Sequence, residues 1–95
     1  MKRRIEYSTK FKKDLKKFRH MPEKRVKISN AIQMLAEGLE IPPSMRPHKL
    51  IGNYVGYMEL HIEGDLLLIW MEINADNEEV IRLTRIGSHA ELFGQ

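Results

Sequence analysis

The sequence predicts a small α+β domain in which two N-terminal helices pack on an antiparallel sheet. A change of hydrophobic period along the chain supports this class. Apolar side chains recur at helical spacing over residues 10–37, whereas they alternate or run continuously, as in strands, over residues 55–86. A length of 95 residues suits a single domain over 1–95, with the order β-α-α-β-β-β and a short C-terminal helical turn.

The first half of the chain predicts one strand and two helices. A short strand over residues 4–7 precedes a helix over about 10–19, which Ser8 and Thr9 are suited to cap. The apolar stripe of this helix, at i, i+4 and i+7, consists of Phe11, Leu15 and Phe18. Pro22 favours the start of a second helix and Gly38 its end. The proline-rich residues 39–47 then predict a connecting loop.

The second half predicts three strands and a terminal turn. Residues 55–62 alternate in polarity, residues 66–73 are apolar on both parities, and residues 79–86 complete the antiparallel run. The middle strand is expected at the centre of the sheet, because both of its faces need cover. The last segment, residues 89–94, predicts one helical turn packed on the sheet.

Charge is divided unevenly between the two halves. Residues 1–50 carry fourteen basic and five acidic side chains, hence +9, whereas residues 51–95 carry two and eight, hence −6. This asymmetry indicates a polyanionic partner, although solvated helix faces alone explain it slightly better. With no cysteine, disulfides, thiol nucleophiles and thiolate metal sites are excluded. No signal-peptide or membrane-spanning stretch is present, so we expect a soluble, cytoplasmic protein that binds no membrane.

Three of the four histidines lie near predicted turns and strand ends, namely His48, His61 and His89. Asp65 starts the strand that follows His61 across a tight turn, which predicts that these two are close. Imidazoles with a carboxylate and an arginine suit cleavage of RNA, in which a base takes the 2′-OH proton and an acid protonates the departing 5′-oxygen. This chemistry requires no metal and no cofactor. Each histidine taken alone is better explained as a surface or capping residue.

A metal site built from two histidines and one carboxylate is the alternative use of these residues. It ranks lower, because the sequence has neither a helical His-x-x-x-His spacing nor a Cys/His cluster. Phe93 follows His89 in the terminal turn and is a candidate for stacking on a base.

Three segments of the second half carry a set of residues whose order and spacing are specific. They are HKLIGNYVGY at residues 48–57, ELHIEGD at 59–65 and RIGSHAELFG at 85–94. Together with the order of elements and the basic first half, they resemble the YafQ-type branch of the RelE superfamily of toxin–antitoxin mRNA interferases. The resemblance covers nearly the whole chain.

The resemblance implies a toxin that cleaves mRNA, typically on the ribosome, inhibits translation and is held inactive by a cognate antitoxin. It implies DNA binding only for the toxin–antitoxin complex. Catalytic positions of the family match His48, His61, Asp65 and His89, and substrate-binding positions match Arg85 and Phe93. His89 is then the favoured general acid, and Asp65 with His48 or His61 the base side. The match does not fix which imidazole performs which step.

Two residues depart from the family pattern. The position after the aspartate, often Trp in this branch, is Leu66, and a position that is commonly Arg before the histidine is Met58. These two departures bear on substrate preference and rate rather than on the type of reaction. A hypothesis from a different class is a non-catalytic RNA- or ribosome-binding module that uses the lysines of residues 10–27.

Overall fold

The structure, a computed structural model, describes residues 2–94, so the predicted domain limits at 1 and 95 lie outside the described residues. Its strands are β1 (Arg4–Tyr7), β2 (His48–Lys49), β3 (Met58–Glu63), β4 (Leu66–Ala75) and β5 (Glu78–Gly87). Its helices are α1 (Thr9–Leu15), α2 (Pro22–Glu37) and α3 (His89–Phe93), with 3-10 turns at Lys16–Phe18, Pro43–Met45 and Gly52–Tyr54. Every predicted element is present. β2 was not predicted, because a strand of two residues is too short to show a hydrophobic period.

The strands form one sheet in the order β1-β5-β4-β3-β2. The predicted antiparallel run is confirmed for β3, β4 and β5. β1, however, lies parallel to β5, with Arg4 opposite Val80 and Tyr7 opposite Leu83, so the sheet is mixed. Two parallel strands need a connection that returns the chain to the end of the sheet at which the first strand began. Here the helices and the other strands form that connection. A four-residue strand gives no indication of its direction in the sheet.

The second predicted strand starts later than its pattern indicates. β3 begins at Met58 rather than Val55, because residues 52–54 form a 3-10 turn and Gly56 has a φ of 95°. A positive φ of this size favours glycine and takes the chain out of the extended conformation. Val55 is consequently exposed, although its place in the alternation suggested a strand.

The predicted helix ends are confirmed at three of four positions. Ser8 Oγ accepts a hydrogen bond of 3.0 Å from the Phe11 amide and caps α1. Pro22 opens α2, and Gly38 ends it with a left-handed φ of 68°. α1 itself stops at Leu15 and continues as a 3-10 turn instead of reaching residue 19. Within residues 2–94, no helix has the length and apolarity needed to cross a membrane.

β4 is buried on both faces, as predicted for the central strand. On one face Leu66, Leu68 and Trp70 pack against the apolar stripes of the two long helices, which are α1 with its 3-10 continuation and α2. On the other face Leu67 and Ile69 form a second, smaller core with Leu92 of α3. Half-buried side chains complete this second core, namely Leu50, Tyr54, Tyr57 and Phe93. Two segments, residues 50–57 and α3, therefore cover the face opposite the long helices.

Asp14 closes the part of β5 that β1 does not reach. β1 pairs only with residues 80–83, and beyond them α1 runs beside β5. The buried Asp14 carboxylate accepts hydrogen bonds from the Ile86 amide (3.1 Å) and from Arg85 Nε (2.7 Å) and Nη2 (3.2 Å). It thereby replaces a neighbouring strand for one amide and, mainly through its hydrogen bond, raises the pKa of Arg85 above its ordinary value.

We expect Asp14→Ala to lower the free energy of unfolding by about 2–3 kcal/mol, measured by urea denaturation. Breaking a buried pair costs about 3–5 kcal/mol, and the 21% exposure of the Arg85 side chain reduces this loss. Glu6→Gln, which removes exposed ion pairs with Arg4 and Arg82, is the control and should shift the midpoint far less. Equal losses in the two variants would contradict the role of Asp14.

Candidate active site

Three imidazoles lie side by side on the sheet face opposite the long helices. His48 is the first residue of β2, His61 lies on β3 opposite Leu67, and His89 is the first residue of α3. The ring centroids are 6.2 Å apart for His48 and His61, and 5.9 Å apart for His61 and His89. The fold therefore brings together three histidines that lie in separate parts of the sequence.

Glu59 joins this cluster, although sequence reasoning gave it no role. Its side chain is only 4% exposed, and its Oε1 lies 3.2 Å from His48 Nε2 and 3.8 Å from His61 Nε2. Its other oxygen, Oε2, is buried without a hydrogen-bond partner among the described residues. The signal in the sequence was parity, because residues 59 and 61 of one strand share a face. A buried carboxylate with one unsatisfied oxygen is costly, which is typical of a functional position.

A hydrogen bond at Nδ1 and a close contact at Nε2 orient the His48 ring. Nδ1 lies 2.7 Å from the carbonyl oxygen of Arg46, which only accepts, so Nδ1–H is the donor. Nε2 then faces the Glu59 carboxyl group, whose Oε1 lies 3.2 Å away. The His48 ring is therefore positioned between the Arg46 carbonyl and Glu59.

Asp65 anchors His89 through two hydrogen bonds to one oxygen. The backbone amide and Nδ1 of His89 lie 2.9 Å and 2.8 Å from Asp65 Oδ1. The amide bond first, and the imidazole bond second, hold the pKa of the Asp65 carboxyl below its ordinary value. Because a carboxylate accepts, Nδ1–H is the donor and Nε2 of His89 is left for a substrate. Asp65 therefore orients the His89 ring through these two contacts.

The N-terminus of α3 fixes the position of His89. Ser88 Oγ accepts from the Glu91 amide while the Glu91 carboxylate accepts from the Ser88 amide, which forms a capping box. A Cβ at Gly87 would lie 2.8 Å from Glu91 Oε1, so glycine permits this close approach. Lys17 also binds Glu91 at 3.0 Å, which ties the first helical region to α3.

The two predicted substrate-binding residues are partly used by the fold. Arg85 binds Asp14 through Nε and Nη2, so Nη1 is the nitrogen left for a phosphate. Phe93 is half-buried and contacts Tyr54 edge-on, with ring centroids 5.3 Å apart, while its distance to the His89 ring is 6.0 Å. The hydroxyl of Tyr54 donates to the Leu92 carbonyl at 3.1 Å. Phe93 therefore supports α3 as well as bordering the imidazoles.

Across residues 2–94, no group of three or more His, Cys, Asp and Glu side chains has the geometry to hold a metal ion. Nevertheless, His48, Glu59 and His61 include the residue types of the alternative two-histidine, one-carboxylate site.

The sheet order, the helical cover on one face and the histidines on the other define a small RelE-like toxin domain. In the crystal structure of the E. coli DinJ–YafQ toxin–antitoxin complex, a chain 33% identical to this one superposes with a TM-score of 0.81. The match covers 99% of this chain and 100% of that one. A metal-bound toxin from Helicobacter pylori, also 33% identical, superposes with a TM-score of 0.75 over 98% of this chain and 100% of that one.

Residues 3–94 match the family described as the bacterial toxin of type II toxin-antitoxin system, YafQ. The mRNA interferase toxin YafQ of E. coli K12 is 33% identical over 99 residues, which cover 99% of each chain. The chain therefore belongs to the YafQ family of type II toxins, which confirms the resemblance and the predicted fold class.

In a carboxyl-carbon NMR titration, we expect the Asp65 midpoint to lie below the ordinary aspartate pKa of about 3.9. Because this pKa is lowered in the folded state, the anchor stabilises α3 above the ordinary pKa and is lost as the pH falls through the lowered value. His89→Ala removes the imidazole bond but keeps the amide bond, so the midpoint should rise only part of the way. A midpoint at or above 3.9 in the unaltered protein would contradict this geometry.

Proposed function

We propose that this chain is an endoribonuclease toxin, an mRNA interferase that cleaves mRNA by metal-independent general acid–base catalysis and so inhibits translation. The observation that carries the proposal is the row of three imidazoles with Asp65 fixed on Nδ1 of His89. Membership of the YafQ family and the name mRNA interferase of the E. coli relative support the same activity.

His89 is the proposed general acid. Asp65 holds its Nδ1 proton, so a protonated ring presents Nε2–H to the departing 5′-oxygen. Because the amide of His89 binds Asp65 too, ring and backbone are placed together.

His61 is the proposed general base. It lies between the other two rings, and its Nε2 is 3.8 Å from Glu59, beyond ordinary hydrogen-bond length, which leaves it able to accept a proton. The other contact of Glu59 is closer, because its Oε1 lies 3.2 Å from His48 Nε2. The role of base thus goes to the imidazole that makes no short contact with either carboxylate.

The reaction balances with these groups alone. His61 removes the 2′-OH proton, the 2′-oxygen forms a bond to phosphorus, and the bond from phosphorus to the 5′-oxygen breaks. That oxygen leaves with the proton from His89, which yields a 2′,3′-cyclic phosphate and a 5′-hydroxyl end. Arg85 Nη1 supplies charge toward the phosphate, and Phe93 offers its ring, 6.0 Å from the His89 ring, for stacking of a base.

The proposed partners are mRNA, met on the ribosome, and a cognate antitoxin. The E. coli relative occurs in a complex with the antitoxin DinJ, which supports an antitoxin for this chain. DNA binding is proposed only for that complex. We further propose that residues 1–95 act as one domain in the cytoplasm.

A non-catalytic RNA- or ribosome-binding module is the second candidate. The basic first half, with +9 over residues 1–50, favours RNA affinity whether or not cleavage occurs. The two functions differ in their dependence on His89, which only cleavage requires.

We expect His89→Gln to slow cleavage of an mRNA by about 10²- to 10⁴-fold, because general acid catalysis contributes about that much. RNA affinity, measured by gel shift, should change little. His20→Gln is the matched control, since His20 is exposed and its described contact is with Arg19. Growth arrest on expression should follow the same pattern in the cell.

Cleavage that persists in His89→Gln would refute the acid–base mechanism, and affinity for RNA without cleavage in the unaltered protein would favour the binding module. Incubation with EDTA separates the metal alternative, which the metal-bound H. pylori relative makes worth testing. Undiminished cleavage after chelation supports the metal-independent mechanism, whereas loss that a divalent cation restores would refute it.

For Glu59→Gln, we expect kcat to fall by about 10- to 100-fold at unchanged KM, since small displacements of catalytic groups cost about this much. The free energy of unfolding should stay equal or rise, because the buried, partly unsatisfied charge is removed. Glu79→Gln, at the opposite end of the sheet, is the control for loss of a carboxylate. A parallel loss of stability and activity would show that Glu59 serves the fold alone.

A further inference from the structure

Arg85 starts from the same face of the sheet as the imidazoles. Four residues lie opposite one another in the neighbouring strands β2 to β5, namely His48, Glu59, Ile69 and Arg85. Residues that lie directly opposite in antiparallel strands project to the same face. Because neighbouring strands are about 4.8 Å apart, the backbone of Arg85 lies roughly 10 Å from that of Glu59. Arg85 is therefore a neighbour of the histidine cluster, one strand beyond Ile69.

The guanidinium of Arg85 is held along one edge only. Asp14 Oδ2 accepts from Nε at 2.7 Å and Asp14 Oδ1 accepts from Nη2 at 3.2 Å, which is the two-bond geometry of a carboxylate on an arginine fork. A guanidinium carries five N–H donors in one fixed plane, and this contact uses two of them. The edge formed by Nη1 and the second proton of Nη2 is left, and it suits two oxygens of one phosphate.

We propose that Asp14 is a positioning residue of the nuclease, which fixes the plane of the Arg85 guanidinium so that its second edge meets the scissile phosphate. In a planar fork, the direction of the second edge is set once the first edge is bound. A guanidinium aligned in advance needs no reorientation when charge develops on the phosphate oxygens. The inference rests on the proposed function, because it presumes cleavage of a phosphodiester.

Burial distinguishes this pair from a second carboxylate–arginine pair on the same strand. The side chains of Asp14 and Arg85 are 7% and 21% exposed, against 31% and 50% for Glu6 and Arg82. Asp14 is also fixed by the Ile86 amide, which donates to Oδ2 at 3.1 Å. The carboxylate therefore cannot follow the guanidinium if the latter turns, and it determines the orientation of Arg85. An exposed pair has no such anchor and is screened by solvent.

Asp14→Asn separates the two tasks of this carboxylate. Oδ2 accepts from both the Ile86 amide and Arg85 Nε, whereas Oδ1 accepts from Arg85 Nη2. An asparagine whose carbonyl oxygen takes the place of Oδ2 keeps the first two bonds and turns an NH2 group, which is a donor, toward Nη2. The end of β5 is then still held, while the guanidinium loses its second bond and its fixed plane.

We expect Asp14→Asn to lower the kcat of mRNA cleavage by about 10- to 100-fold, because a small misplacement of a reacting group costs about that much in rate. KM should change by less than about threefold, since affinity for RNA comes from many phosphate contacts. Glu6→Gln is the matched control, because it removes a carboxylate from Arg82 of the same strand, and both constants should stay within about twofold. Urea denaturation confirms that both variants are folded under the assay conditions. An unchanged kcat, or a loss confined to KM, would overturn the proposal.

A double-mutant cycle tests whether Asp14 acts through Arg85. In the Arg85→Ala background, Asp14→Asn should change kcat by less than about twofold, because no guanidinium remains to be oriented. The same factor in both backgrounds would show that Asp14 acts only through the end of β5, and would overturn the proposal. Arg85→Lys, which keeps the charge without the planar fork, is the second background if Arg85→Ala does not fold, and the same small change is expected there.

The dependence on His89 separates this inference from the proposed function. Absence of cleavage by the unaltered chain would refute the nuclease, and the role of Asp14 with it. Cleavage that His89→Gln abolishes but Asp14→Asn leaves unchanged would refute the positioning role alone.

Discussion

The burial of β4 on both faces is the constraint on which the rest of this structure depends. Leu68 and Trp70 need cover from one side, and Leu67 and Ile69 need it from the other. The two long helices cover the first face, and only the segment 50–57 and α3 remain for the second. These two segments begin just after His48 and at His89, so covering the second core carries both imidazoles to His61. The position of the candidate active site thus follows from where the apolar cover must lie.

The same constraint explains why contacts outside the cluster govern it. α3 has five residues and cannot be stable alone, so its place depends on the Ser88 capping box, the Asp65 anchor and the packing of Leu92. The C-terminal end of β5 must be held in place, because Ser88 begins α3 directly after it. Asp14 holds this end, since it accepts a hydrogen bond from the Ile86 amide where no neighbouring strand is available. A buried carboxylate on the first helix therefore contributes to the position of the proposed general acid.

Local patterns predicted most elements, and long-range contacts account for what they missed. Ser8, Pro22 and Gly38 mark helix ends because each acts on backbone within a few residues. The direction of β1 depends on β5, about 75 residues away, so four residues cannot reveal it. The three histidines and Asp65 were chosen correctly as neighbours, but Glu59 was passed over because a polar residue within an alternating strand suggests solvent. Glu59 is buried because β2 pairs with β3 and places His48 opposite it, and this pairing is a tertiary contact that the local pattern does not contain.

The division of charge between the two halves gains a spatial meaning in the fold. Lys24 and Lys27 reach from α2 to Glu63, and Lys17 reaches to Glu91, so basic helices neutralise the acidic side chains beside Asp65 and α3. These pairs are largely exposed, and exposed ion pairs contribute about 0–1 kcal/mol. They therefore add little to stability, but they lower the net negative charge beside the imidazoles. The acidic character of the second half is then no obstacle to a polyanionic substrate, because basic side chains already neutralise its charge near the site.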